Sequence, residues 1–209
     1  MKKILFPILL LLFYSPSNGQ NNSETVVIGS QVWMKENLDV NTFRNGDPII
    51  EAKTDKEWKE AGENKTPAWC YYKNKTENGI KYGKLYNWYV VKDPRGLAPQ
   101  GFHLPSDAEW TTLTKFLGGE DAAGTKLKSS EGWEQNGNGT NSSGFTGLPG
   151  GYRYYDGTFY NIGSNGSWWS TTKTRPKIAW YRNLLSSSGD INRRNSNQRY
   201  GFSVRCIKD

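Results

Sequence analysis

Residues 101–118 carry the clearest helical spacing of apolar positions in the chain. Trp110, Leu113 and Leu117 recur at helical intervals, Phe116 widens the stripe, and Thr111, Thr112 and Lys115 fall on the other side. Ser106, with Glu109 three residues later, predicts a capping box at the helix start, while Gly118-Gly119 predicts its stop. Pro105 closes an extended segment before it. The same signature, Thr54 with Glu57 ahead of Trp58, predicts a second small helix ending at Gly62. Lys75 to Lys81 reads as a polar loop. The apolar run from Tyr82 to Val91 is ambiguous by periodicity, and Leu85, Trp88 and Tyr89 favour a short helix there.

Elsewhere the pattern is that of short strands. Val26 and Ile28, then Val32 and Met34, alternate with smaller or polar neighbours around Gly29-Ser30. Residues 67–72 read as a buried strand and 132–144 as a Gly/Asn/Ser loop. Aromatic strands are expected over 145–149, 151–155, 158–162, 166–171, 178–184 and 201–207. Asp156-Gly157 predicts a two-residue hairpin between the second and third of these. In the last one Phe202, Val204 and Cys206 share a face opposite Ser203 and Arg205, the pattern of a half-buried strand. Trp168 and Trp169 are adjacent, so an ordinary strand faces them to opposite sides and one of them is expected off the main core.

Composition refines this picture. The chain has 209 residues with 35% hydrophobic, 14% aromatic and 22% charged content, enough for one sizeable core. Nine Trp, twelve Tyr and 23 Gly suit short strands joined by many turns. Lys2 and Lys3 followed by the apolar run Ile4–Tyr14 and the small residues Ser17-Asn18-Gly19 read as a signal peptide over 1–19, leaving one domain over 20–209. The run is too short to span a bilayer as a transmembrane segment, so a secreted, periplasmic or outer-surface location is expected. Removing Lys2 and Lys3 lowers the formal charge from +7 to +5 without any block of like charges, which argues against a nucleic-acid partner. The sequons at Asn21, Asn64, Asn74, Asn138, Asn141 and Asn165 mark polar loops.

Cys70 and Cys206 are the two cysteines, and an exported chain permits a disulfide between them; two buried thiols are the alternative. Inventory bears on catalysis. With His103 as the single histidine, a site of two or three His ligands is excluded, and no Gly-x-Ser-x-Gly elbow, phosphate-cradling loop or zinc spacing is present. His103 is expected to be a structural residue beside the sheet. Sugar-binding motifs that use calcium, such as Glu-Pro-Asn, do not occur, although a calcium site built with backbone carbonyls stays open. No cofactor is expected.

The motifs Val32-Trp-Met-Lys-Glu-Asn-Leu, Tyr82-Gly-Lys-Leu-Tyr-Asn-Trp, Gly101-Phe-His-Leu-Pro-Ser-Asp-Ala-Glu-Trp, Gly147-Leu-Pro-Gly-Gly-Tyr-Arg, Trp168-Trp-Ser-Thr-Thr and Gly201-Phe-Ser-Val-Arg-Cys occur in this order. Together they resemble the Fibrobacter succinogenes major paralogous domain family. That family is similar in turn to the formylglycine-generating-enzyme and C-type-lectin-like folds. The resemblance implies an α+β domain with twisted antiparallel sheets, two main flanking helices and long loops, and it implies no established activity. Family members often carry a Cys where this chain has Ala98. The copper-binding pair of reactive cysteines of formylglycine-generating relatives has no counterpart, because Cys70 and Cys206 lie outside that motif.

Recognition is the function these residues favour. The C-terminal half sets Tyr152, Tyr154, Tyr155, Tyr160, Trp168, Trp169, Trp180 and Tyr181 among Arg153, Arg182, Arg193, Arg194, Asn192 and Asn195, and amphipathic aromatics with Arg and Asn give contact area at low entropic cost. The expected surface, carried on C-terminal loops, comprises Arg153, Tyr154, Tyr155, Trp168, Trp169, Trp180, Tyr181, Arg182, Arg193 and Arg194. It would serve a secreted, non-catalytic recognition or adhesion module that binds a glycan or a cell-surface or envelope protein. A divergent metal-dependent enzyme of the formylglycine-generating fold is the alternative, and a structural component of an envelope assembly is a third reading.

Overall fold

The computed structural model describes residues 24–209, so the expected signal peptide over 1–19 lies outside the described residues. The architecture is α+β, with several small, mainly antiparallel sheets and few helices. Strand β1 (Thr25–Ile28) turns through Gly29-Ser30 into β2 (Gln31–Met34), and Gly29 adopts a φ of 63° that suits glycine. The short parallel pair β3 (Ile50–Glu51) and β4 (Ala68–Cys70) flanks helix α1 (Asp55–Glu63). The Thr54/Glu57 capping box forms as expected at the start of that helix, which runs one residue past Gly62.

Residues 75–91 depart from expectation. The polar stretch is helical, α2 (Thr76–Tyr82), while the apolar run divides into β5 (Leu85–Tyr86), paired with β4, and a single turn α3 (Trp88–Val91). Asn87 makes the division. Its side chain accepts from Val90 N–H at 3.3 Å as the cap of α3 and from Ala68 N–H at 3.2 Å, and donates to Thr66 O at 2.8 Å.

Strand β6 (Phe102–His103) leads into α4 (Asp107–Phe116), whose Ser106/Glu109 box is complete. Gly118 N–H bonds to Lys115 O at 3.1 Å and Gly119 N–H to Thr114 O at 3.0 Å, a Schellman ending. Trp110, Leu113 and Leu117 are buried as expected, but Phe116 is not in the stripe. It is exposed and its ring covers Gly29, where an added Cβ would lie 2.9 Å away. Helix α5 (Glu120–Leu127) follows, an element the sequence reading does not contain.

The remaining strands are β7 (Gly150–Arg153), β8 (Phe159–Ile162), β9 (Asn165–Arg175), β10 (Ile178–Leu185), β11 (Ile191–Asn197) and β12 (Ile207–Lys208). The β7–β8 connection is a three-residue loop rather than two: Tyr154 N–H bonds to Thr158 O at 2.7 Å, and Gly157 sits at φ 104°. Residues 145–149 form no strand beyond a bridge at Gly147. The strand expected over 201–207 is reduced to bridges and β12, and it is buried on both faces. Phe202, Val204 and Cys206 enter one core, and Arg205 is held on the other side by the carbonyls of Met34 (3.0 Å), Lys35 (2.6 Å) and Phe145 and by Asn37 Oδ1 (2.8 Å). Strand β12 pairs with both β2 and β6, so the ends of the described chain close one sheet, in the order β1-β2-β12-β6.

The two cysteine alternatives are decided and one expectation is corrected. Cys70 and Cys206 are free thiols, each buried in a different apolar cluster: Cys70 with Trp58, Tyr72 and Leu85, Cys206 with Met34, Val204 and Phe202. Burial pushes the Cys70 thiol up to about 11 and that of Cys206 up to about 12. The segment carrying Arg193 and Arg194 is not a loop but strand β11, seven residues with Ile191 alone deeply buried among its apolar side chains. It is a strand because β10 supplies a continuous antiparallel partner from Ile178↔Asn197 to Leu184↔Ile191.

Candidate functional site: an aromatic cleft on one face of the β9–β11 sheet

The β11-β10-β9 sheet sorts its side chains by register. Trp168↔Arg182↔Arg193 is one cross-strand row and belongs to the face covered by α4; Trp169↔Tyr181↔Arg194 and Ser167↔Asn183↔Asn192 are rows on the opposite face. Successive residues therefore have different fates.

On the α4 face an ion cluster ties helix to sheet. Asp107, the first residue of α4, accepts from Arg182 Nη1 at 2.6 Å and from Arg193 Nε and Nη2 at 3.0 and 2.7 Å on Oδ2. Burial works against the Asp107 carboxylate, but the two guanidinium partners outweigh it and hold its pKa below the ordinary value. Arg193 also lies 3.7 Å from the centre of the Trp180 ring. The three aromatic or basic residues Trp180, Arg182 and Arg193 thus serve a helix anchor.

The opposite face opens into a cavity of about 210 Å³ lined by Tyr152, Asn165, Ser167, Tyr181, Asn183, Leu185, Arg194, Tyr200 and Phe202. Tyr152 and Tyr200 stack parallel, 5° apart with centroids at 6.3 Å, and Tyr181 lies 4.5 Å from Phe202. Strand β7 brings Tyr152, with Gly151 at φ 67° beneath it; a Cβ there would meet Tyr160 O at 2.6 Å. Asn183 Nδ2 donates to Gly166 O at 3.2 Å and Ser167 Oγ at 3.1 Å, which fixes the amide and leaves its oxygen as an acceptor. Asn192 Nδ2, opposite Asn183 in register, is buried without a hydrogen-bond partner among the described residues. Burial and hydrogen bonding to Tyr154 raise the Tyr200 phenol above its ordinary pKa, so it stays a neutral donor and acceptor. A depression of similar volume, about 220 Å³, beside Glu24, Glu36 and Asp39 has no aromatic wall.

The ten residues expected to share one surface are therefore divided. Tyr181 and Arg194 line the cleft. Tyr154 and Tyr155 stand beside it, joined through Tyr200 at centroid distances of 4.7 and 6.1 Å. Trp168 and Trp169 are not among the cleft's lining, because each fills a separate core. Arg153 is fully buried: it donates to Ala52 O at 2.7 Å and Gly157 O at 2.8 Å and lies over the Trp58 and Phe159 rings. Arg182 is buried on Asp107. Missing from the expectation are Tyr200, Phe202, Asn165, Ser167 and Asn183. Strand alternation from Tyr181 would have selected Asn183, whereas Tyr200 and Phe202 reach the cleft only by tertiary placement.

His103 lies outside the cleft. Its Nε2 is 2.7 Å from Glu109 Oε1 and its Nδ1 2.7 Å from Asp209 Oδ1, so it clamps the α4 capping box to the last residue of the chain. Among the described residues no group of three or more His, Cys, Asp or Glu side chains gathers as a metal-holding cluster, and no helix is long and apolar enough to cross a membrane.

Comparison with known families matches residues 26–208 to the Fibrobacter succinogenes major domain, and the chain belongs to that family. No curated protein matches the chain. No solved structure matches it either.

Proposed function

We propose that this member of the Fibrobacter succinogenes major domain family is an exported, non-catalytic recognition module that binds glycan in the Tyr152/Tyr181/Tyr200/Phe202 cleft. The observation that carries the reading is the pairing of flat aromatic walls with the fixed amide of Asn183. Sugar rings present apolar C–H faces that pack on aromatic rings and hydroxyls that need directional partners, and Asn165, Ser167 and Asn183 supply those partners on a rigid sheet. At about 210 Å³ the cavity falls below the roughly 300–1,000 Å³ of drug-sized pockets, which suits one or two rings of a chain. Binding rather than chemistry is favoured because the cleft's polar groups are amides, hydroxyls, phenols and a guanidinium, with no carboxylate, imidazole or thiol to move a proton near neutral pH.

The C-type-lectin-like or formylglycine-generating-enzyme-like form of the α+β fold is part of this proposal, supported by the Leu-Pro-Ser helix start at α4 and the closing Gly201-Phe202 segment. Export rests on the N-terminal sequence pattern. A glycan array probed with the purified chain tests the function: retention of a defined glycan set, weakened by Tyr181→Ala with folding intact, supports it, and no retained glycan contradicts it.

A further inference from the structure

The arginines around the β9–β11 sheet are nearly all committed. Arg182 and Arg193 hold Asp107, Arg199 reaches Glu63 at 3.5 Å, Arg153 reaches Asp55 at 3.3 Å and two carbonyls, and Arg205 is held by carbonyls and Asn37. Arg194 differs. It stands opposite Tyr181 at the cleft, exposed, and its side chain makes no hydrogen bond or ion pair among the described residues. Among the described residues no carboxylate lines the cleft to neutralise it. A neutral sugar needs only the amides and the rings. A guanidinium, by contrast, offers two parallel N–H groups matched to the two oxygens of a carboxylate, and such charge-assisted pairs are the stronger hydrogen bonds. Among the described residues, the cleft's lining includes no helix N-terminus or glycine-rich turn to cradle a polyphosphate.

We infer that the glycan this cleft takes carries a carboxylate, as a uronic acid does, and that Arg194 receives it beside the Tyr181 ring. This rests on the glycan reading above and narrows its ligand class. In the bound arrangement the sugar ring lies against the tyrosine walls, its hydroxyls meet Asn183 and Ser167, and its carboxylate faces outward to Arg194.

The test compares uronate-containing glycans with the same glycans after reduction of each carboxylate to a primary alcohol, using the wild-type chain, Arg194→Gln, and Arg175→Gln as an exposed control on β9 outside the cleft. The expected result is at least tenfold tighter binding of the carboxylate form, loss of that preference in Arg194→Gln, no change in Arg175→Gln, and weakening with added salt. Equal affinity for both forms, an unaffected Arg194→Gln, or an equal loss in Arg175→Gln overturns the inference while leaving glycan binding in place. No binding of any glycan by the wild-type chain overturns both.

Discussion

Trp168 and Trp169 are neighbours in the chain and occupy different cores: Trp168 packs with Trp33, Trp110 and Phe145, Trp169 with Phe202, Tyr86 and Trp88. Both indole N–H groups are satisfied, at 2.8 Å, by Asn37 Oδ1 and Tyr86 O respectively. Strand β9 is thus a partition with the helix layer on one side and the cleft's underlayer on the other. Replacing either tryptophan by Ala is expected to lower unfolding free energy by about 3–5 kcal/mol in denaturant titration. A loss below about 1 kcal/mol for either would contradict the two-core arrangement.

Asp107 supplies the second prediction. Removing its charge in Asp107→Asn leaves Arg182 buried without its counter-ion, and breaking such a pair costs about 3–5 kcal/mol. The folded pKa of Asp107 is depressed below 3.8, so its contribution is present above that value and is lost as pH falls through the lower folded pKa. Urea midpoints of wild type and variant should converge in strong acid and stay apart at neutral pH; parallel curves down to the lowest pH would remove the carboxylate from this role.

His103 behaves with the opposite sign. Burial opposes its charged form, but the hydrogen bonds it donates to the Glu109 and Asp209 carboxylates prevail and raise its pKa above the ordinary 6.5. Its stabilisation is fully present below 6.5 and is lost as pH rises through the raised folded value. Thermal melts of His103→Gln should therefore lie below wild type in mildly acidic buffer and approach it on the alkaline side. An imidazole that titrates at or below 6.5 by NMR would contradict the clamp.

The buried thiols give a simple chemical prediction. With Cys70 raised to about 11 and Cys206 to about 12, neither reacts with an alkylating agent in the native protein, and both react after unfolding without reductant. Mass spectrometry showing no labelling of the unfolded, unreduced chain would indicate a disulfide instead.

Local signals in the sequence were readable where they act over a few residues. The capping boxes at Thr54 and Ser106, the β1–β2 turn at Gly29 and the Gly118-Gly119 stop are each fixed by backbone hydrogen bonds within one or two turns. Strand β11 was not readable, because its polar side chains carry no apolar alternation and its order comes from β10. The cleft was legible in kind but not in membership. Composition pointed to aromatics with Arg and Asn, yet Trp168, Trp169, Arg153 and Arg182 are buried by packing and ion pairs that no spacing rule reveals. Tyr200 and Phe202 arrive on the segment after β11, which bridges β7 at Arg153↔Gly201 and β9 at Trp168↔Ser203 and whose pattern resembles an ordinary core strand.

The most direct test of the recognition site is the affinity of a glycan identified by array, measured by calorimetry for wild type and Tyr152→Ala. Tyr152 is partly exposed, stacks on Tyr200 and packs at the edge of the Phe202 cluster, so its loss removes a cleft wall while every fully buried core side chain stays in place. The expected result is a roughly tenfold or greater loss of affinity, about 1.4 kcal/mol, with a melting temperature close to that of wild type. Undiminished affinity in a folded Tyr152→Ala would contradict the cleft as the binding site.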